Sequence, residues 1–139
     1  MQLLLPVFLL IPIAFILWRD AKVKELIKYI AVVAATWLAI NLPFALTTPT
    51  GWWRFYKLNL ERGADWGSIW LALQQLGVNF TNLNYLSILL LLISMTSIAI
   101  VLFELKYTPT LASVAFLVLA SVMVASKVYS PQYVLWLTL

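Results

Sequence analysis

The sequence predicts an all-α integral membrane protein. It reads as about four transmembrane helices and a truncated fifth, with short interfacial helices in an outer segment over 47–84. Three observations carry this. The 139-residue chain is 64% hydrophobic and 10% charged, whereas a soluble domain carries about 25% charged residues. Its apolar runs approach the roughly 20 residues that span a bilayer. One long polar interruption, GWWRFYKLNLERGADWGSIW over 51–70, stands among them and holds four of the seven Trp residues and three of the four Gly.

The first run, 2–18, has no basic leader and no small-residue cleavage site, so it does not read as a signal peptide. Pro6 and Pro12 are tolerable in a membrane helix, where neighbours re-satisfy the freed carbonyls. A short polar connection over 19–28 follows, then a second helix over 29–46 with Pro43 near its end. Residues 47–51, TTPTG, read as a loop. From Trp52 to Leu60 the spacing is helical, with Trp52, Tyr56 and Leu60 on one face and Arg54, Lys57 and Glu61 mostly on the other. That is the pattern of a helix lying in the headgroup layer. Arg62-Gly63-Ala64 reads as a turn, Asp65 as the N-cap of a second short helix over 66–76, and Gly77 as its stop. The third spanning helix is expected over 85–103, a tight connection over 104–107, and the fourth helix over 108–125, with Pro109 in its first turn. After the polar break SKVYSPQ, the run over 133–139 starts a fifth helix and ends in mid-span. An apolar helix at one end and a cut helix at the other make the chain a single membrane domain, 1–139, taken from a larger multi-span protein.

Four Lys and Arg fall in the ten residues 19–28, against three in the 38 residues 47–84. The positive-inside rule therefore puts 19–28 in the cytoplasm and, by alternation, 47–84 and 126–132 on the outer face. The net charge of +4 is scattered without a basic run. It fits attraction to anionic lipid and not nucleic-acid binding. With no Cys and no His, disulfides, thiol nucleophiles, imidazole bases and Cys/His metal sites are excluded. Acid–base work falls to carboxylates, Lys or Tyr. No phosphate-binding Gly loop, paired-carboxylate motif or metal-ligand cluster is present, so no cofactor or metal is expected.

The candidate site residues each carry two readings. Asp65 is a helix cap, or a carboxylate that the cap holds facing a polar pocket; Glu61 is the other candidate accessory carboxylate. Arg62 is half of a solvated pair with Glu61, or a bidentate ligand for a phosphate. Trp52 and Trp66 belong to an interfacial aromatic belt, or stack against sugar faces. Lys127 snorkels to the interface, or meets a lipid phosphate on the same side as Arg62, with Tyr129 and Gln132 as neighbouring hydrogen-bonding groups.

The segments FYKLNLERGADWGSIW and SKVYSPQYVLWL together resemble the polyprenol-phosphate-dependent glycosyltransferases of family 87, which are mostly actinobacterial. The order of elements matches as well: a Pro-containing apolar helix, a basic turn, a helix ending NLP, the GW-aromatic segment with RGADWG, two helices, then SKVYSPQY. The resemblance implies a GT-C type fold in a bacterial plasma membrane. It implies transfer of a mannosyl or arabinosyl group from a polyprenyl-phosphate donor to a lipid-linked or cell-wall glycan on the outer face, with membrane lipids as further partners. The usual base of that superfamily is an Asp in an outer loop ahead of the first helix here, and no counterpart is present. The 139 residues alone are therefore expected to be inactive. A non-enzymatic reading, a lipid-binding or flippase-like membrane subunit using Arg62 and Lys127, stands beside it.

Overall fold

The computed structural model describes residue 8 and residues 10–129. The start of the first apolar run, Gln132 and the fifth helix over 133–139 lie outside the described residues. Among those described there is no strand. Six helices follow one another: α1 Leu10–Arg19, α2 Val23–Thr47, α3 Pro49–Glu61, α4 Ile69–Gln75, α5 Leu83–Glu104 and α6 Leu111–Ala125. The chain divides into two compact units, Ile13–Arg62 on one side and Met1–Pro12 with Gly63–Leu139 on the other.

In the unit Ile13–Arg62, α2 dominates. It starts at Val23, six residues before the expected start, because Lys24, Glu25 and Lys28 are good helix formers that extend the apolar run outward. At 25 residues it is roughly 37 Å long, and no residue of it is buried. Its polar side chains turn inward on its own backbone. Thr36 donates to the Val32 carbonyl (2.8 Å), Asn41 to Trp37 (2.9 Å) and Thr47 to Pro43 (2.7 Å), the arrangement a hydrocarbon surrounding demands. The turn from α1 into α2 is a Schellman motif, with Lys22 N–H on the Leu17 carbonyl and Ala21 N–H on that of Trp18, both at 3.0 Å. Ala21 takes the left-handed conformation (φ 55°) that this motif requires.

The loop expected over 47–51 is helix instead. Thr48 alone separates α2 from α3, and Pro49 sits in the first turn of α3, where its fixed φ suits the helix and its missing N–H costs nothing. Trp52 Nε1 donates to Asn41 Oδ1 (3.2 Å) and so folds the start of α3 back on the end of α2.

In the other unit α6 is the core helix. Val114, Val118, Leu119, Val122, Met123 and Ala125 are buried, and Phe8, Leu91 and Tyr129 pack on the Leu119–Val122–Met123 cluster. Helix α6 packs along α5. The helix starts at Leu111, capped by Thr110 Oγ1 on Ser113 N–H (3.2 Å). Pro109 therefore precedes the helix and does not fall in its first turn, because Thr110 supplies the better cap. The third expected helix is present as α5.

Among the described residues two helices, α2 and α5, are long and apolar enough to cross a membrane. Their most apolar stretches are 0% and 6% buried, unlike the core helix of a soluble domain. At 15 residues α6 is roughly 22 Å long, short of a hydrocarbon layer of about 30 Å.

Candidate functional site

The later part of the polar segment 51–70 and the start of the polar break 126–132 lie on one another, over residues 65–70 and 125–129. Asp65 N–H donates to the Lys127 carbonyl (2.8 Å). Five residues on, the Trp70 indole N–H donates to the Ala125 carbonyl (3.0 Å), the last carbonyl of α6. A carbonyl at a helix end has no partner within the helix, so Trp70 supplies one and buries its ring in doing so. Only 6% of Trp70 is exposed, and Phe80 meets it edge-on at 5.4 Å between ring centres.

Local chemistry places these groups. Gly67 adopts φ +80°, and a Cβ there would lie 2.7 Å from Tyr129 Cδ1. The Tyr129 ring therefore rests directly on the Gly67 backbone. The left-handed Gly67 turn delays α4, which starts at Ile69 and not at 66. Its N-cap is Ser68, not Asp65. The Ser68 hydroxyl accepts from Leu71 N–H (3.2 Å) and donates to the Asp65 carbonyl (2.8 Å), and the side chain is 4% exposed. The Asp65 carboxylate accepts from the Trp66 amide instead (2.9 Å). Gly77 closes α4 as expected, in a second Schellman motif, with its own N–H on Gln74 and Val78 N–H on Leu73.

Lys127 is half-buried, and its Nζ donates to Asn84 Oδ1 at the start of α5. Burial pushes the Lys127 ammonium below the usual lysine pKa. Gly67, Ile69, Ala120, Met123, Val124 and Tyr129 line an open, mostly apolar cleft of about 200 Å³.

Of the candidates, then, Asp65, Trp66, Lys127 and Tyr129 share one neighbourhood. Trp66 is 79% exposed at its edge. Trp52, Glu61 and Arg62 belong to the other unit. There Glu61 pairs with Lys57 at 3.6 Å, one helical turn away, with both side chains exposed. Trp52 is half-buried on Asn41. Gln132 lies outside the described residues. Four residues of the site are not among the candidates read from the sequence: Asn84, Gly67, Ser68 and Trp70. The Trp-Gly-Ser run announces a turn and a cap, so Gly67 and Ser68 were findable. Nothing local marks Asn84 or the buried state of Trp70. Among the described residues no group of acidic side chains could hold a metal. No protein-family model, no curated protein and no solved structure matches the chain.

Proposed function

We propose that the chain is part of a multi-span membrane glycosyltransferase. It would move a mannosyl or arabinosyl group from a polyprenyl-phosphate donor to a glycan or glycolipid acceptor at the outer face of a bacterial plasma membrane. The membrane part of this reading rests on α2 and α5, whose length, apolarity and exposure suit lipid. The transferase part rests on the resemblance carried by RGADWGS and SKVYSPQY.

One observation supports joining the two. The segments bearing that resemblance stand about 60 residues apart in the chain, yet they meet through the Asp65–Lys127 and Trp70–Ala125 hydrogen bonds and the Gly67–Tyr129 contact. Gly67 and Tyr129, which meet in this contact, both line the apolar cleft, and Asp65 and Lys127 stand two residues before them in the chain.

The roles follow from charge. A polyprenyl phosphate leaves as an anion, so a fixed cation stabilises the departing charge. Lys127 is that cation in this proposal, oriented by Asn84. Asp65 is an accessory carboxylate, its segment held against Lys127 by its backbone N–H and its side chain turned to the Trp66 amide, and Trp66 offers an exposed indole face to a sugar. The cleft beside Tyr129 takes the first apolar carbons of the donor.

The test is sugar transfer by membranes that carry the larger multi-span protein to which this proposal assigns the chain, with labelled polyprenyl-phosphate mannose and arabinose offered in parallel. One donor should be used, and Lys127→Ala should reduce kcat/KM at least about tenfold with the helix content unchanged. Absence of transfer from both donors, or an unaffected Lys127→Ala variant, rules the assignment out.

A further inference from the structure

We propose that α3 is a docking element for an anionic phospholipid surface, with Arg54 and Lys57 reaching lipid phosphates and the residues beside them entering the headgroup layer. The inference needs the membrane reading of α2 but not the transferase reading.

The face of α3 turned to its own unit is made by Trp52, Tyr56 and Asn59, all half-buried. The Trp52 and Tyr56 rings meet at a tilt of 59°, 4.8 Å between centres. On both sides of that face large apolar groups stand in the open: Trp53 (54% exposed) and Leu60 on one side, Phe55 and Leu58 (58% exposed) on the other. A protein partner would be expected to meet one continuous apolar patch. Here two apolar strips flank a polar stripe of Arg54, Lys57 and Glu61, the pattern of a helix half-sunk along its length. Trp and Tyr are the side chains that settle at the headgroup level, with an apolar ring and a polar N–H or O–H.

The sign of the charge chooses the lipid. Residues 49–62 hold the cations Arg54, Lys57 and Arg62 against the single carboxylate Glu61. Glu61 is engaged with Lys57. Arg54 is exposed and makes no ion pair among the described residues. A guanidinium takes a phosphate bidentately, and long basic side chains bend from a helix flank to reach the phosphate layer. Position agrees with charge. One residue, Thr48, separates α3 from a 25-residue apolar helix, so α3 begins where α2 reaches the water.

The chain contains no Cys, so Leu58→Cys gives a single site for an environment-sensitive fluorophore. The labelled full chain is reconstituted into vesicles of phosphatidylcholine alone, or of phosphatidylcholine with phosphatidylglycerol. In the anionic vesicles the label should shift to the blue, resist the neutral quencher acrylamide and be quenched by spin-labelled lipid. Added salt should weaken all three. Removing one cation near an anionic surface weakens partition roughly fivefold, so Arg54→Gln should lose most of the preference and Arg54→Lys should keep it. Helix content by circular dichroism controls for misfolding. The same label behaviour in both lipids, or an unchanged Arg54→Gln variant, overturns the proposal. So does a chain that fails to float with alkali-washed vesicles, since α2 is then not in the bilayer. Sugar transfer is not read in this experiment, so a failed transferase assignment leaves its outcome intact.

Discussion

At the scale of single residues, Gly67 and Lys127 decide most. Gly67 meets two demands at once, a left-handed backbone and the Tyr129 ring where a Cβ would sit. Gly67→Ala should therefore cost about 2–4 kcal/mol, the sum of a backbone penalty of ~1–2 kcal/mol and a steric one of similar size. In a Tyr129→Ala background only the backbone part should remain. Thermal unfolding of the four proteins in detergent measures the coupling; strictly additive losses would mean that the ring yields freely. Lys127 makes a pH prediction. Burial lowers its pKa in the fold, so between that lowered value and the ordinary lysine value near 10.4 the unfolded chain binds more protons than the native one. Stability should rise with pH through that alkaline window by this contribution, and below it the penalty of the buried charge is constant. The difference in unfolding midpoint between the native protein and Lys127→Met, followed with pH, isolates the effect. A difference that stays flat up to the ordinary lysine range would refute it.

At the scale of elements, two helix ends share one motif and differ in one residue. Helix α4 ends at Gly77, with φ +90°, while α1 ends at Ala21, with φ 55°, and both make the paired hydrogen bonds of a Schellman cap. Glycine adopts the left-handed region without the steric cost that a Cβ brings. Ala21→Gly should stabilise the protein by about 1 kcal/mol and Gly77→Ala should destabilise it by about as much, both read as shifts in the unfolding midpoint. The junction of α2 and α3 is an element of another kind. Asn41, inside an apolar helix, has its amide on the Trp37 carbonyl and its oxygen on the Trp52 indole, so both of its polar atoms are satisfied without water.

At the scale of the whole molecule, the prediction is orientation. If α2 crosses the bilayer, its two ends face opposite sides, and the denser positive charge near Lys22 belongs to the cytoplasm. Lys57→Cys should be labelled by an impermeant thiol reagent on intact cells, while Lys22→Cys should react only after the cells are opened. The reverse pattern would turn the protein over and remove the segment 63–70 from the outer face. Labelling of both positions on intact cells would mean that α2 does not cross.

The sequence by itself determined the helical class, the apolarity of α2 and α5, the aromatic helix after Trp52 and the stop at Gly77, because these depend on near neighbours. Runs of Leu, Ile and Val, a Pro at a helix start and a Gly after a helix each act within a turn or two of the chain. It also marked 51–70 and 126–132 as polar interruptions. Only the tertiary structure decided that Ser68 and not Asp65 caps α4, because the Gly67 turn that delays the helix is shaped to receive Tyr129, 62 residues away. Only the tertiary structure paired Lys127 with Asn84, across 43 residues, and made Trp70 a buried donor to the end of α6 while leaving Trp66 in the open. In each of these cases the deciding partner is distant in sequence. A local pattern reports what a side chain can do, and packing selects which of those possibilities is met.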